Sequence, residues 1–204
     1  MHSKDIHTAG RSLQQADKVL IMLHGRGADA RDILGLVPDL NVDDYAILAP
    51  QATNFTWYPY SFMENPQQNE PWLSSALDLI QDINHDISEQ GIPAENTYFI
   101  GFSQGACLSL EYVTRHATRY GGVAAFTGGL IGDRIYRENY SGDFNGMPVF
   151  ISTGDPDPHI PLERTHESAR ILQEMHAEVN LQVYKGRPHT VSADEIQRAN
   201  QLIF

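Results

Sequence analysis

The sequence predicts a three-layer α/β domain built on a mostly parallel sheet. Two observations carry that reading. Short apolar runs rich in β-branched residues alternate with longer segments whose apolar positions recur every three or four residues. Most of the runs are apolar throughout rather than on alternate residues, as strands covered on both faces require.

The strand candidates, in order, are residues 18–23 (KVLIML), 45–49 (YAILA), 97–102 (TYFIGF), 123–127 (VAAFT), 148–153 (PVFIST) and 180–184 (NLQVY). Between the second and third, residues 71–91 carry apolar side chains at Leu73, Ala76, Leu77, Ile80, Ile83 and Ile87, with Pro71 near the start and Gly91 just past the end. QGACLSLEYVTRHA and LERTHESARILQEMHAE read as two further helices. A last one opens on Ser192 and Glu195, three residues apart in the spacing that lets each side chain cap the other's backbone amide. Residues 50–70 form the one long irregular stretch, longer than most connections and therefore a candidate for function. No repeat or linker interrupts the chain, so residues 1–204 are expected to form one domain.

Charge excludes some functions. Lys plus Arg total 14 against 26 Asp plus Glu, a net charge of −12, with no basic cluster. Phosphate backbones and anionic lipid surfaces would be repelled, so neither nucleic-acid binding nor stable membrane insertion is expected. The run VLIML is too short to span a bilayer, and MHSKDIHTAGRS lacks the apolar core of a secretion signal. With one cysteine, Cys107, there can be no intramolecular disulfide, and a cytoplasmic location is the expectation. Cys107 itself reads as a small buried hydrophobe.

The chemistry centres on Gly101-Phe102-Ser103-Gln104-Gly105, a G-x-S-x-G pattern between a predicted strand and a predicted helix. Glycines on either side let backbones pass closely, and the serine is thrust out at a helix N-terminus. A glycine-rich turn with an incidental serine is the plainer alternative. A serine nucleophile needs a base, and the base an orienting acid. In such sites the order is serine, acid, histidine, each after the end of a strand. Of nine histidines, His189 alone lies between the last strand and the last helix. His24 precedes the serine and reads as a structural hydrogen-bonder, whereas His159 is too near the acid loop to be a separate third arm.

The acid falls in GDPDPHIP, where Pro156, Pro158 and Pro161 stiffen a loop bearing Asp155 and Asp157. Asp157 is the better placed; Asp155, nearer the strand, would hydrogen-bond the turn. Both being mere turn residues remains the alternative. The first strand is followed by His24-Gly25-Arg26-Gly27-Ala28-Asp29, whose glycines permit a turn aiming the amide of Arg26 inward beside that of Gln104. These two amides are the candidate oxyanion donors. Metal-ligand spacing such as H-E-x-x-H is absent, and no metal site is proposed. The aromatic stretch Trp57, Tyr58, Tyr60, Phe62 and Met63 either lines a pocket or packs a loop on the core. Trp57, Tyr58 and Phe62 are the candidate pocket residues.

LHGRGAD, WYPYSF followed by NEP, GFSQGA, GDPDPHIP and GRPHT, in that order, span nearly all the chain from residue 20 to 190. Together they resemble the phospholipase/carboxylesterase group of α/β-hydrolases, which includes the acyl-protein thioesterases. The resemblance implies an α/β-hydrolase fold with no large lid domain and hydrolysis of carboxylic esters or thioesters without a cofactor. It also implies a triad at Ser103, Asp157 and His189, with oxyanion amides at Arg26 and Gln104. Relatives often carry glycine immediately before the histidine, where this chain has Pro188. The expected partner is a small-molecule or acyl ester or thioester. The oligomeric state stays open, a homodimer included. The rival readings are a non-catalytic binding module on a hydrolase scaffold, or a related hydrolase such as a dienelactone hydrolase or perhydrolase.

Overall fold

A computed structural model describes residues 1–204. Its centre is a seven-stranded sheet in the order β1-β3-β2-β4-β5-β6-β7. The strands are β1 (Ile6–Gly10), β2 (Lys18–Leu23), β3 (Tyr45–Pro50), β4 (Thr97–Phe102), β5 (Gly122–Phe126), β6 (Pro148–Asp155) and β7 (Glu178–Lys185). Only β1 is antiparallel, against β3; every other pairing is parallel. Five α-helices cover the two faces: α1 (Ala30–Leu34), α2 (Trp72–Glu89), α3 (Gln104–Arg115), α4 (Leu162–Glu174) and α5 (Ala193–Leu202). This is the three-layer α/β arrangement expected, with no large lid.

Alternation along each strand divides the core. Val19, Ile21 and Leu23 of β2 point into the larger cluster with Leu73, Ile80 and Ile83 of α2, Leu108 of α3 and Leu172 of α4. Leu20 and Met22 point the other way, against Ala30 and Ile33 of α1 and Ile196 and Ala199 of α5. A period of two on a sheet buried on both sides explains why both sets are apolar. All six apolar positions read along the α2 segment are buried.

Two elements were not expected. β1 is short and its burial is mixed, so nothing in IHTAG marks it as a strand; it forms by adding to the β3 edge, from Ile6 opposite Pro50 to Gly10 opposite Ala46. α1 has five residues, too few to show a period, and is started by Asp29, whose side chain accepts from the amides of Arg31 and Asp32. The helical reading of LERTHESARILQEMHAE runs past the true end of α4 at Glu174, because His176 adopts φ 65° and Glu178 already belongs to β7. No helix is long and apolar enough to cross a membrane.

The stretch 50–70 is folded inward, with Trp57, Tyr58 and Phe62 buried. Two histidines hold it. His24 is fully buried; its Nδ1 donates to the Gly25 carbonyl at 2.8 Å and its Nε2 accepts from the Ala52 amide at 3.1 Å. His2 packs against both Trp57 and Trp72, donates from Nε2 to the Trp57 carbonyl at 2.9 Å and accepts at Nδ1 from the Thr53 amide at 3.1 Å. Each ring donates on one nitrogen and accepts on the other, so the neutral form is the one these bonds require. Burial, the largest influence on each, lowers both pKa values below 6.5.

As pH falls through 6.5, the unfolded chain takes up protons that the folded chain refuses at these two rings. Their stabilising contribution is therefore complete above that value and declines below it. Urea midpoints at pH 7.5 and 5.5 are expected to show lower stability at the acid value, with a smaller drop in His24→Asn than in the parent chain. An equal or larger drop in the variant would remove His24 from the explanation.

Candidate active site

The chain runs from β3 across to β4 on the other side of β2, so the sheet order reverses between β2 and β4. The carboxyl ends of strands at such a point border a crevice, the usual ligand position in an open α/β sheet. Ser103 lies at the end of β4, and the His24–Asp29 turn at the end of β2.

β4 becomes α3 within a single residue. Ser103 takes φ 54° and ψ −116°, a conformation that holds a non-glycine residue under strain of about 1–3 kcal/mol. Its amide donates to the Phe126 carbonyl of β5 at 2.9 Å. The flanking glycines are required by space: a Cβ on Gly101 would overlap the Gly105 backbone, and one on Gly105 would overlap the Leu23 backbone of β2.

His189 and Asp157 converge on this serine from two other connections. His189 Nε2 lies 2.8 Å from Ser103 Oγ, and His189 Nδ1 lies 2.8 Å from Asp157 Oδ2. The other oxygen, Asp157 Oδ1, accepts from the amides of His159 and Ile160, both at 2.9 Å. Burial pushes the Asp157 carboxyl up, but the bonds from His189 and the two amides outweigh it and hold the group below its ordinary value. Asp155 instead ends β6, where its backbone carbonyl accepts from the Gly186 amide. The turn expected of Asp155 is therefore bonded by Asp157, because Asp155 is still paired within the sheet.

The loop carrying His189 is gripped from inside. Arg187 Nη1 donates to the carbonyls on both sides of the histidine, those of Pro188 and Thr190. Its Nη2 donates to Thr127 Oγ1 at 2.6 Å, and its Nε lies 3.5 Å from Glu195, which is fully buried. Glu195 in turn accepts from Ser152 Oγ of β6 and from Ser192 at the start of α5. Pro188 thus sits inside a clamped turn. The Arg187–Glu195 pair was not foreseen; the capping spacing from Ser192 to Glu195 was its one sequence trace.

The two candidate oxyanion amides face no competing acceptor. In the turn after β2, the Gly27 amide donates to Phe55 at 2.7 Å and that of Ala28 to Gly25 at 3.2 Å, while the amide of Arg26 has no partner within the protein. The Gln104 amide opens α3, where the first N–H groups of a helix are unpaired and its dipole favours negative charge.

These groups border a cavity of about 390 Å³, lined also by Tyr58, Phe62, Phe102, Cys107 and Ile160. Trp57, expected among the pocket residues, is not in its wall. It is fully buried behind it, its ring 5.0 Å from that of His24 and its Nε1 donating to the His24 carbonyl at 2.9 Å. That hydrogen bond turns the indole inward and leaves Tyr58 and Phe62 as wall residues. Cys107 lines the cavity as a thiol, its pKa pushed by burial to about 12. His159, set aside as too near the acid loop to be a separate third arm, also borders the cavity, its ring 4.8 Å from that of His189. His85, His166 and His176 are exposed and elsewhere.

The family model for phospholipases and carboxylesterases matches residues 10–203. A crystal structure of a phospholipase/carboxylesterase from Dyadobacter fermentans is similar across 99% of this chain and 97% of that one, with 58% identity and a TM-score of 0.98. Acyl-protein thioesterase 1 of Kluyveromyces lactis is 24% identical over 93% of this chain and 92% of its own. A probable carboxylesterase, SOBER1-like, of Arabidopsis thaliana is 28% identical over 61% of this chain, and the match spans only 48% of that relative's length. The chain belongs to the phospholipase/carboxylesterase family.

Proposed function

We propose that the protein is a serine hydrolase of carboxylic esters or thioesters. The observation that carries this reading is the unbroken run of hydrogen bonds from Asp157 through His189 to Ser103, beside two unpaired amides and a cavity. Relatives named carboxylesterase and acyl-protein thioesterase support the same reaction class.

In this mechanism Ser103 Oγ attacks the substrate carbonyl carbon while its proton passes to His189 Nε2. The carbonyl oxygen becomes an oxyanion held by the amides of Arg26 and Gln104. A missing donor of this kind typically costs about 3–4 kcal/mol of transition-state stabilisation. Asp157 keeps Nδ1 protonated and stabilises the imidazolium. The carbon–oxygen or carbon–sulfur bond then breaks, and His189 gives its proton to the departing alkoxide or thiolate. Water, losing a proton to His189, attacks the acyl-Ser103 ester; the serine recovers a proton and the carboxylic acid leaves.

The acyl group is assigned to the cavity walled by Tyr58, Phe62 and Ile160. Its volume of about 390 Å³ is at the small end for a ligand site. Because Tyr58 and Phe62 are buried in the wall of this small cavity, short acyl chains are the proposed substrates.

Ser103→Ala is expected to abolish hydrolysis of p-nitrophenyl esters at an unchanged melting temperature; turnover surviving in that variant would overturn the assignment. Asp157→Asn is expected to lower kcat about 10⁴-fold, since the imidazole then takes the wrong tautomer. Across p-nitrophenyl esters from acetate to palmitate, kcat/KM is expected to peak at the short end. A peak at palmitate would show that the aromatic loop opens into a longer channel.

A further inference from the structure

The β2–β4 ladder ends where Leu23 pairs with Gly101. Beyond that point no ladder bond joins the two strands, and the contact of Gly105 with Leu23 leaves the Arg26 end of the turn to be placed, yet an oxyanion hole depends on the separation of residues 26 and 104. A third segment, Thr56–Tyr60, binds both of these residues through their side chains. Gln104 is nearly fully buried. Its Oε1 accepts from the Trp57 amide at 2.9 Å and from Thr56 Oγ1 at 3.2 Å, and its Nε2 donates to the Tyr58 carbonyl at 2.8 Å. On the other side, Arg26 Nη1 donates to the Pro59 carbonyl at 2.7 Å and Nη2 to the Tyr60 carbonyl at 2.5 Å.

The chain just before this segment is shaped for the same end. Asn54 and Phe55 are consecutive non-glycine residues with φ of 56° and 60°. The Phe55 side chain is largely exposed, so packing does not account for the strained backbone. What that backbone does is aim the Phe55 carbonyl at the Gly27 amide, fixing the peptide next to Arg26.

We infer that Thr56–Tyr60, keyed by the side chains of Gln104 and Arg26, is a positioning device that sets the spacing of the two oxyanion amides. This rests on the hydrolase reading above. Gln104 therefore has two separate parts in the site: its backbone amide is a donor to the oxyanion, and its carboxamide holds that amide in register with Arg26. The guanidinium of Arg26 does the same from the opposite side. A displacement of a reacting group by about 1 Å is enough to cost a factor of about 100 in rate.

The test uses Gln104→Met and, as a milder change that deletes one hydroxyl, Thr56→Val. Active sites are counted by stoichiometric labelling with a fluorophosphonate. Steady-state hydrolysis of p-nitrophenyl acetate is measured on an unlabelled portion and expressed per site so counted. Affinity is measured for a trifluoromethyl ketone, whose carbonyl carbon bonds to Ser103 Oγ, leaving an oxyanion and a protonated His189. The expected result for Gln104→Met is a fall of about 10- to 100-fold in kcat per site, with KM within about twofold and ketone affinity reduced by the same factor as kcat. Thr56→Val should show a smaller loss of the same pattern. A merely structural role would lower the melting temperature or the fraction of labelled sites while kcat per site and ketone affinity stayed at parental values, and that outcome overturns the inference. Should Gln104→Met not fold, Thr56→Val with parental kcat and ketone affinity overturns it equally. A parent chain without Ser103-dependent hydrolysis would instead overturn the hydrolase reading.

Discussion

The contact on which the site depends is the backbone of Gly105 lying against the backbone of Leu23. Because no Cβ intervenes, α3 can start directly over the end of β2. That approach lets β4 turn into a helix in one residue and leaves Ser103 at its apex with a left-handed φ. It also brings the first amide of α3 beside the turn that follows β2. The strain at the serine is local, and it is held by cooperative structure on both sides: the Phe126 carbonyl on its amide and the whole of α3 behind it.

A second layer of order comes from a charge pair that ordinary rules would keep out of a core. Glu195 is fully buried and Arg187 nearly so. Such a pair contributes little net stability, and a hydrophobic replacement is often as good. Its value here is geometric. One guanidinium reaches the two carbonyls beside His189, and the carboxylate it faces is tied to β6 and to the start of α5. The His189 loop is thereby fastened to β6, to α5 and to Thr127 just past β5.

The sequence makes the parts of this molecule legible to different degrees. Where a run is apolar throughout, as at residues 19–23, or apolar positions recur every three or four residues, as at the six of α2, the pattern identifies the element. The chemistry in G-x-S-x-G is legible for a steric reason, since glycines at 101 and 105 have few other uses at a strand end. Chain order then selects Asp157 and His189, and the structure brings all three residues into one hydrogen-bonded line. What is not legible depends on tertiary neighbours. IHTAG becomes a strand only because β3 offers an edge, and α1 is too short to have a period. Trp57 reads as a wall residue until the His24 carbonyl is found to hold its indole nitrogen. His159, set aside for its nearness to the acid loop, is placed beside His189 by the turn that Asp157 makes with its second oxygen.

The residues that meet at Ser103 are far apart in the chain, 86 positions separating it from His189 and 32 separating Asp157 from His189. Contacts of that span form only after the segments between them have closed their loops, and parallel pairings are slow for the same reason. In a chain made from its N-terminus, Ser103 precedes His189 by 86 residues, so the bond between them can form only after β5, β6, β7 and the loops between them have been made. The serine's geometry is set by β4 and α3, whereas the imidazole's is set by contacts that wait for α5, so the two halves of the site are assembled by different parts of the fold.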